Sequence, residues 1–147
     1  MRAFICGALA LSGAMLPSTS AHAESWRLAG YVEEYPALVA FVDADSLKRS
    51  GSRADFTILQ FDEDYGSDWL KQQISTDCSK TGYAILDSKT LENGVVKNAE
   101  GEPTSVDDIK AGSIDELIIN LVCGRAQMPA ATPDPARGAT DIFASLN

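Results

Sequence analysis

Apolar and polar residues alternate along the first half of the chain in the way that β-strands require. In residues 53–61, Ala54, Phe56 and Ile58 alternate with an aspartate and a threonine. Because successive side chains of a strand point to opposite faces, this spacing predicts a strand with one buried face.

The following run has the same periodicity, since Leu70, Ile74 and Cys78 share one parity. The connections between apolar runs are short, which favours antiparallel pairing because a parallel crossover needs a dozen or more residues. We therefore expect an antiparallel meander of about five or six strands. The other strands are predicted at residues 26–32, 38–43, 83–87 and 92–97, the last after a turn near Asn93-Gly94.

The periodicity changes at Ser113, where apolar residues begin to recur at helical spacing. Ser113 and Glu116 fit a capping box, and Gly124 fits a C-terminal cap. A strand remains an alternative, because several of the apolar residues are β-branched. A helix over residues 113–123 predicts an α+β fold in which the helix packs on one face of the sheet. The helical apolar positions are Ile114, Leu117, Ile118, Leu121 and Val122.

Residues 127–147 differ in composition from the rest, because prolines stand among alanines and small polar residues. Such a segment has too little apolar surface for a core of its own, so we predict a flexible tail that is dispensable for binding. The alternative is that its apolar residues dock on the folded domain, which is predicted to span residues 24–126. The prolines are Pro129, Pro133 and Pro135, and the apolar residues are Ile142, Phe143 and Leu146.

The first 23 residues have the layout of a secretory signal peptide. Arg2 is followed by an apolar run over residues 3–16 and by a small-x-small end at residues 21–23. This run is shorter than the roughly 20 residues that a membrane anchor needs. A lipoprotein would need a cysteine after the run, whereas Cys6 lies near its start. We predict cleavage before residue 24 and a periplasmic or secreted protein that does not insert into the membrane.

Removal of the signal peptide leaves 147 − 23 = 124 residues, enough for one domain with a core. It also removes Arg2, so that 11 lysines and arginines remain against 21 aspartates and glutamates, a net charge of −10. A protein of this charge is poorly suited to bind nucleic acid or anionic lipid. The charge favours a basic protein ligand, or serves only to keep the domain soluble.

Two cysteines, Cys78 and Cys123, remain after cleavage, and the only histidine, His22, is lost. Cysteines of exported proteins are usually oxidised, so we predict a disulfide between them. A redox-active pair is the rival, but neither a Cys-x-x-Cys spacing nor a histidine is present to generate a thiolate. The bond would join the end of a predicted strand to the last turn of the predicted helix.

Acidic residues are concentrated in residues 62–68, of which Asp62, Asp64 and Asp68 form a weak calcium candidate. The Asp-x-Asp start is typical of a calcium-binding loop. However, glycine stands at the fifth position rather than the sixth, and Gln73 occupies the twelfth position, where a glutamate would close the loop. A solvated hairpin loop explains the cluster as well, so no metal is predicted.

No catalytic residue and no cofactor are predicted. The sequence contains no nucleophile elbow, phosphate loop or dinucleotide fingerprint. The carboxylate pairs Glu33-Glu34 and Asp107-Asp108 do not indicate acid–base chemistry, which depends on separation and environment in space. A non-enzymatic protein is expected, and an enzyme that uses carboxylates alone remains an alternative.

Several short motifs occur in a fixed order. They are Trp26, then Phe41-Val42-Asp43-Ala44-Asp45-Ser46-Leu47 and Gly51, then Asp77-Cys78, and finally Gly112-Ser113 leading to Val122-Cys123. In this order and spacing, the chain from Trp26 to about Gly124 resembles the surface-adhesin protein E family of exported bacterial domains. The resemblance implies an antiparallel sheet with a helix held against it by a disulfide.

The resemblance also implies a function, since the named adhesin of that family binds host matrix and serum proteins at the bacterial surface. This chain departs from the family in lacking a lipid-attachment cysteine, in having Ala111 in place of the usual proline, and in its acidity. We predict an exported, non-enzymatic domain of the cell envelope that binds a protein ligand, with an adhesin-like module as one candidate. The alternatives are a periplasmic inhibitor or regulator of a basic, lysozyme-type envelope enzyme, and a structural envelope protein.

Overall fold

The computed structural model describes residues 24–98 and 104–146, so the predicted signal peptide lies outside the described residues. In this part of the chain, seven strands and a short 3-10 turn precede two helices. The strands are β1 (Trp26–Val32), β2 (Leu38–Ser50), β3 (Arg53–Asp62), β4 (Trp69–Asp77), β5 (Tyr83–Glu92), β6 (Val95–Asn98) and β7 (Thr104–Val106). The 3-10 turn is Glu63–Tyr65, and the helices are α1 (Ile114–Val122) and α2 (Pro135–Leu146).

The strands β1 to β6 form a meander in which each strand pairs antiparallel with the next. β7 pairs with the start of β5, and β6 pairs with its end. The antiparallel sheet and the α+β class are confirmed, with seven strands instead of five or six. β2 and β5 extend further than predicted, to Ser50 and Glu92, because their pairing with β3 and β4 continues through polar residues. The last predicted strand accordingly begins later, at Val95.

The sheet buries apolar side chains on both faces. In β3, Phe56 and Ile58 point to one face and Leu59 and Phe61 to the other, and all four are buried. Neighbouring residues of a strand are both buried only when both faces of the sheet are covered. Helix α1 covers the face of Ile58, and α2 covers the face of Phe61.

Helix α1 begins after Ser113, whose Oγ accepts a hydrogen bond from the backbone N–H of Glu116 at 3.3 Å. The Glu116 carboxylate accepts from the backbone N–H of Gly112 at 2.7 Å, so both predicted capping residues act at this terminus. The helix packs on β1 and β2, where Gly30 permits a close approach. A Cβ atom on Gly30 would lie only 2.6 Å from Leu117 Cδ1. The segment is therefore a helix, and the alternative strand is excluded.

The predicted disulfide joins Cys78, just beyond β4, to Cys123 at the C-terminus of α1, with 5.6 Å between the Cα atoms. Two arginines reinforce this connection. Arg49 Nε donates to the Val122 carbonyl at 2.9 Å, and Arg125 Nη2 donates to the Cys78 carbonyl at 2.6 Å. The Arg49 cation complements the negative C-terminal end of the helix dipole.

Residues Pro135–Leu146 form a helix, so the prediction of a flexible tail is wrong for this part of the chain. Pro135 occupies the first helical position, where the missing N–H of proline has no intrahelical partner to lose. Asp134 precedes it and accepts a hydrogen bond from a backbone N–H of the first turn at 3.0 Å. Ala139 and Phe143 lie one turn apart and are buried against the second face of the sheet.

The segment that leads to α2 is also attached to the sheet. The backbone N–H of Thr132 donates to the Trp26 carbonyl at 2.8 Å. The Arg27 guanidinium donates to the Pro129 carbonyl at 3.1 Å. These bonds cover the outer edge of β1 at its start, where a partner strand would otherwise have access.

Candidate functional site

Two loops meet at one end of the sheet and carry a concentration of negative charge. The β1–β2 loop contacts the β3–β4 loop through the N–H of Glu63, which donates to the Ala37 carbonyl at 3.0 Å. Tyr35 Oη donates to the Asp64 carboxylate at 2.8 Å. The two loops contain no lysine or arginine. We call residues 33–37 and 62–68 the acidic end, and its carboxylates belong to Glu33, Glu34, Asp62, Glu63, Asp64 and Asp68.

Two tyrosines project from the acidic end. Tyr35 is 79% exposed and Tyr65 is 68% exposed. The hydrogen bond to Asp64, together with the negative charge of that carboxylate, raises the pKa of the Tyr35 hydroxyl, so the phenol stays protonated and continues to donate. Exposed tyrosines beside carboxylates give a partner apolar contact area and hydrogen-bonding groups on one surface.

The three calcium candidates each accept a hydrogen bond within the protein. Asp62 accepts from the N–H of Asp64 at 2.9 Å, and Asp64 accepts from Tyr35. Asp68 accepts from the N–H of Asn93 at 3.2 Å. Within the part of the chain that the structure describes, no three histidine, cysteine, aspartate or glutamate side chains are grouped so that they could hold a metal ion. The loop is a hydrogen-bonded connection between β3 and β4.

Basic side chains gather at the opposite end of the sheet, where β2 turns into β3 and β4 turns into β5. Two of them hold the ends of the disulfide, as described above, and Arg53 pairs with Asp55 at 2.9 Å. This end therefore carries cations next to carboxylates such as Asp55 and Asp77, whereas the loops of the acidic end carry carboxylates alone. The basic residues at this end are Lys48, Arg49, Arg53, Lys80 and Arg125.

Asp77, at the same end as the disulfide, is expected to titrate near pH 2. Its carboxylate accepts from Ser79 Oγ at 2.7 Å and from the Ser79 N–H at 3.0 Å, which lowers its pKa from 3.8 to about 2. Because the pKa is lowered by folding, the carboxylate stabilises the fold above pH 3.8, and this contribution is lost as the pH falls towards 2.

An NMR titration of the carboxyl carbon measures this pKa directly. Ser79→Ala should raise it towards 3.8, since the largest cause of the shift is removed. Ser67→Ala, at the acidic end, serves as the control and should leave it unchanged. A pKa near 2 that persists in Ser79→Ala would contradict the assignment.

The segment Phe-x-Asp-x-x-Ser, one of the motifs behind the resemblance, forms an irregularity in β2. Asp43 Oδ1 accepts from the N–H of Ser25 at 2.9 Å and from that of Asp45 at 3.2 Å. Ser46 Oγ donates to the Asp43 carbonyl at 2.7 Å and accepts from the Thr57 N–H at 2.8 Å. The pairing of β2 with β3 shifts register across this segment. Asp43 and Ser46 thus form hydrogen bonds with backbone groups that the interrupted pairing leaves without a partner strand.

This irregularity borders an open cleft of about 470 Å³, on the part of the sheet that α2 leaves uncovered. Several carboxylates line the cleft, as an enzyme that uses carboxylates alone would require. Asp43 is 7% exposed and already holds two backbone N–H groups. Hydrogen bonds from Ser75 and Arg53 lower the pKa of Asp55, which keeps it ionised. A general acid would need a carboxyl group with a raised pKa. Burial raises the pKa of Asp115, but Asp115 is not among the residues that line the cleft.

Sequence reasoning identified one half of the acidic end and missed the other. It singled out residues 62–68, but it took Glu33-Glu34 only as a carboxylate pair that does not indicate acid–base chemistry. The available signal was composition, because both loops combine acidic residues with a tyrosine. What brings the loops together is the pairing of β1, β2 and β3, which sequence periodicity alone does not specify.

No family model, curated protein or solved structure matches this chain. None of the helices among the described residues has the length and apolar character needed to cross a membrane.

Proposed function

We propose that the protein is an exported, non-enzymatic binding domain of the bacterial cell envelope whose ligand is a basic protein. The observation that carries this proposal is the acidic end, where two loops held together by hydrogen bonds present six carboxylates without a cation. A surface of this kind attracts a basic partner over distances of about one Debye length, 8 to 10 Å.

Export is supported by two independent features. Residues 1–23 have the signal-peptide layout, and the Cys78–Cys123 disulfide is of a kind that persists in oxidising compartments. A periplasmic or secreted location follows as part of the proposal. Adhesin-like binding is the candidate that the family resemblance favours.

The acidic end is expected to act on the rate of association. Loss of charge in the double variant Glu33→Gln/Glu34→Gln should slow association with a basic protein by about threefold to tenfold at low salt. Both side chains are exposed, so the fold should not change. The measurement is surface plasmon resonance of residues 24–147 against basic proteins captured from envelope extracts, at low and high salt.

The matched control is Asp107→Asn/Asp108→Asn, which removes the same charge from an exposed pair. This pair follows β7, whose end pairs with the start of β5, so it lies at the opposite end of the sheet. If both double variants slow association equally, net charge alone is responsible. If salt has no effect on association with the captured ligands, the acidic end is not their binding surface.

An inhibitor of a basic lysozyme-type enzyme would use the same surface. The observation that favours it is the disulfide between sheet and helix, which braces a small acidic domain. Protection of a lysozyme substrate from lysis by residues 24–147 would identify this role. Binding without protection would favour the adhesin-like role.

A further inference from the structure

A groove of about 320 Å³ opens beside the acidic end, between the 3-10 turn and the adjoining ends of β4 and β5. Its lining includes Leu70, Trp69 and Leu91. Trp69 and Leu91 lie opposite each other in β4 and β5, and their side chains point to the other face of the sheet from Leu70. Tyr65, which is 68% exposed, also lines the groove. The groove therefore combines an apolar interior with access from solvent.

The strand register explains why this part of the sheet is open. Leu70 in β4 lies opposite Gln60 in β3 and Thr90 in β5, so these three side chains share one face. This is the face on which Ile74, four residues along β4, is buried in the core under α1. Helix α1 packs on β1 and β2, and it leaves the β4–β5 part of this face uncovered near the acidic end.

Among the described residues, three carboxylates line the groove together with these apolar groups, and Lys97, which lies opposite Thr90 in β6, is paired with one of them. Asp62 accepts a backbone N–H bond at 2.9 Å, Asp68 accepts one at 3.2 Å, and Glu92 accepts from the ammonium of Lys97 at 2.7 Å. A carboxylate has about four acceptor positions, so each one can accept further hydrogen bonds. An apolar groove lined with such groups is complementary to a side chain that has an aliphatic stem and a cationic head.

We propose that this groove receives a lysine or arginine side chain of the basic protein ligand, an inference that rests on the proposed function. The methylene stem lies against Leu70, and the cation reaches the carboxylates. The exposed ring of Tyr65 stands where it can add a cation–π contact. The acidic end then steers the partner, and the groove provides the buried contact that slows dissociation.

Two synthetic probes test this assignment, namely hexalysine and the hexapeptide of 2,4-diaminobutyrate. They carry the same charge at pH 6 but differ by two methylene groups in each side chain. Both are titrated into isotopically labelled protein comprising residues 24–147, with binding followed by NMR. Hexalysine should bind about tenfold more tightly, the ratio expected from burying two methylene groups of one side chain. Hexalysine should also shift the backbone amide NMR signals of Leu70, Thr90 and Leu91.

Substitution of Thr90 provides a second arm. Thr90→Lys places a cation inside the groove and should remove the preference for hexalysine. Thr81→Lys adds the same charge in the β4–β5 turn, away from the groove, and should retain the preference. Tyr65→Ala alters an exposed side chain and should weaken hexalysine binding even if Thr90→Lys proves unstable.

The outcomes distinguish a failure of the groove assignment from a failure of the proposed function. If both probes bind equally and shift only the loops of the acidic end, the groove does not receive the side chain, while recognition of basic ligands stands. If neither probe binds saturably, both the groove assignment and the proposed function are overturned. Retention of the hexalysine preference in Thr90→Lys would also overturn the groove assignment.

Discussion

Cys123→Ala is expected to lower the free energy of unfolding by about 2 to 5 kcal/mol, because the disulfide constrains the unfolded chain. The bond closes a sequence separation of 45 residues. In the chain-entropy description, closing a loop of this length stabilises a protein by up to about 4 kcal/mol. The bond also ties α1 to the sheet, so its loss should make the helix easier to detach.

Urea unfolding of residues 24–147, before and after the substitution, measures this effect. Ser79→Ala is the control, since it changes the neighbouring turn and leaves the disulfide intact. Alkylation of the unreduced, denatured protein followed by mass spectrometry gives an independent check. Two labelled thiols would show that the bond does not form and would remove the basis of the prediction.

The parts of the fold that sequence predicts well are those that local rules determine. The alternation of Phe56 and Ile58 with polar residues specifies one face of β3, and Ser113 with Glu116 specifies the start of α1. Both patterns are read within a few residues, because side-chain direction and capping depend on near neighbours. The disulfide was predictable for a different reason, since only two cysteines remain after the predicted cleavage.

Helix α2 was not predicted because its signal is weak when it is read alone. Its segment is rich in alanine and polar residues, and its buried positions in the described structure are Ala139 and Phe143. A clue lay elsewhere in the chain, in the consecutive apolar pairs Phe41-Val42 and Ile58-Leu59. Consecutive apolar residues in a strand indicate that both faces are covered, so a second covering element was required.

The acidic end was predicted only in part. Composition located residues 62–68, but the calcium interpretation considered a single loop in isolation. The contact of Tyr35 with Asp64 joins positions 29 residues apart, and the contact of Ala37 with Glu63 joins the same two loops. Contacts between distant loops follow from strand pairing, and pairing register is set by the whole buried pattern rather than by either loop.

Phe143→Ala is expected to destabilise the protein by about 3 to 5 kcal/mol, which is the usual cost of removing a phenylalanine from a core. Phe143 is 8% exposed and packs in the cluster that contains Phe41 and Phe61. Its truncation leaves a cavity between α2 and the sheet, because helix and sheet backbones can close only part of the space.

The control for this prediction is Asp141→Ala, which alters an exposed position of the same helix and should change stability by less than about 0.5 kcal/mol. Urea unfolding of both variants and of the parent, each as residues 24–147, gives the comparison. A tail that is flexible and dispensable, as composition predicted, would give equal unfolding curves for all three proteins. A large loss of stability confined to Phe143→Ala would instead demonstrate that α2 is part of the folded domain, because only packing against the second face of the sheet distinguishes the two positions.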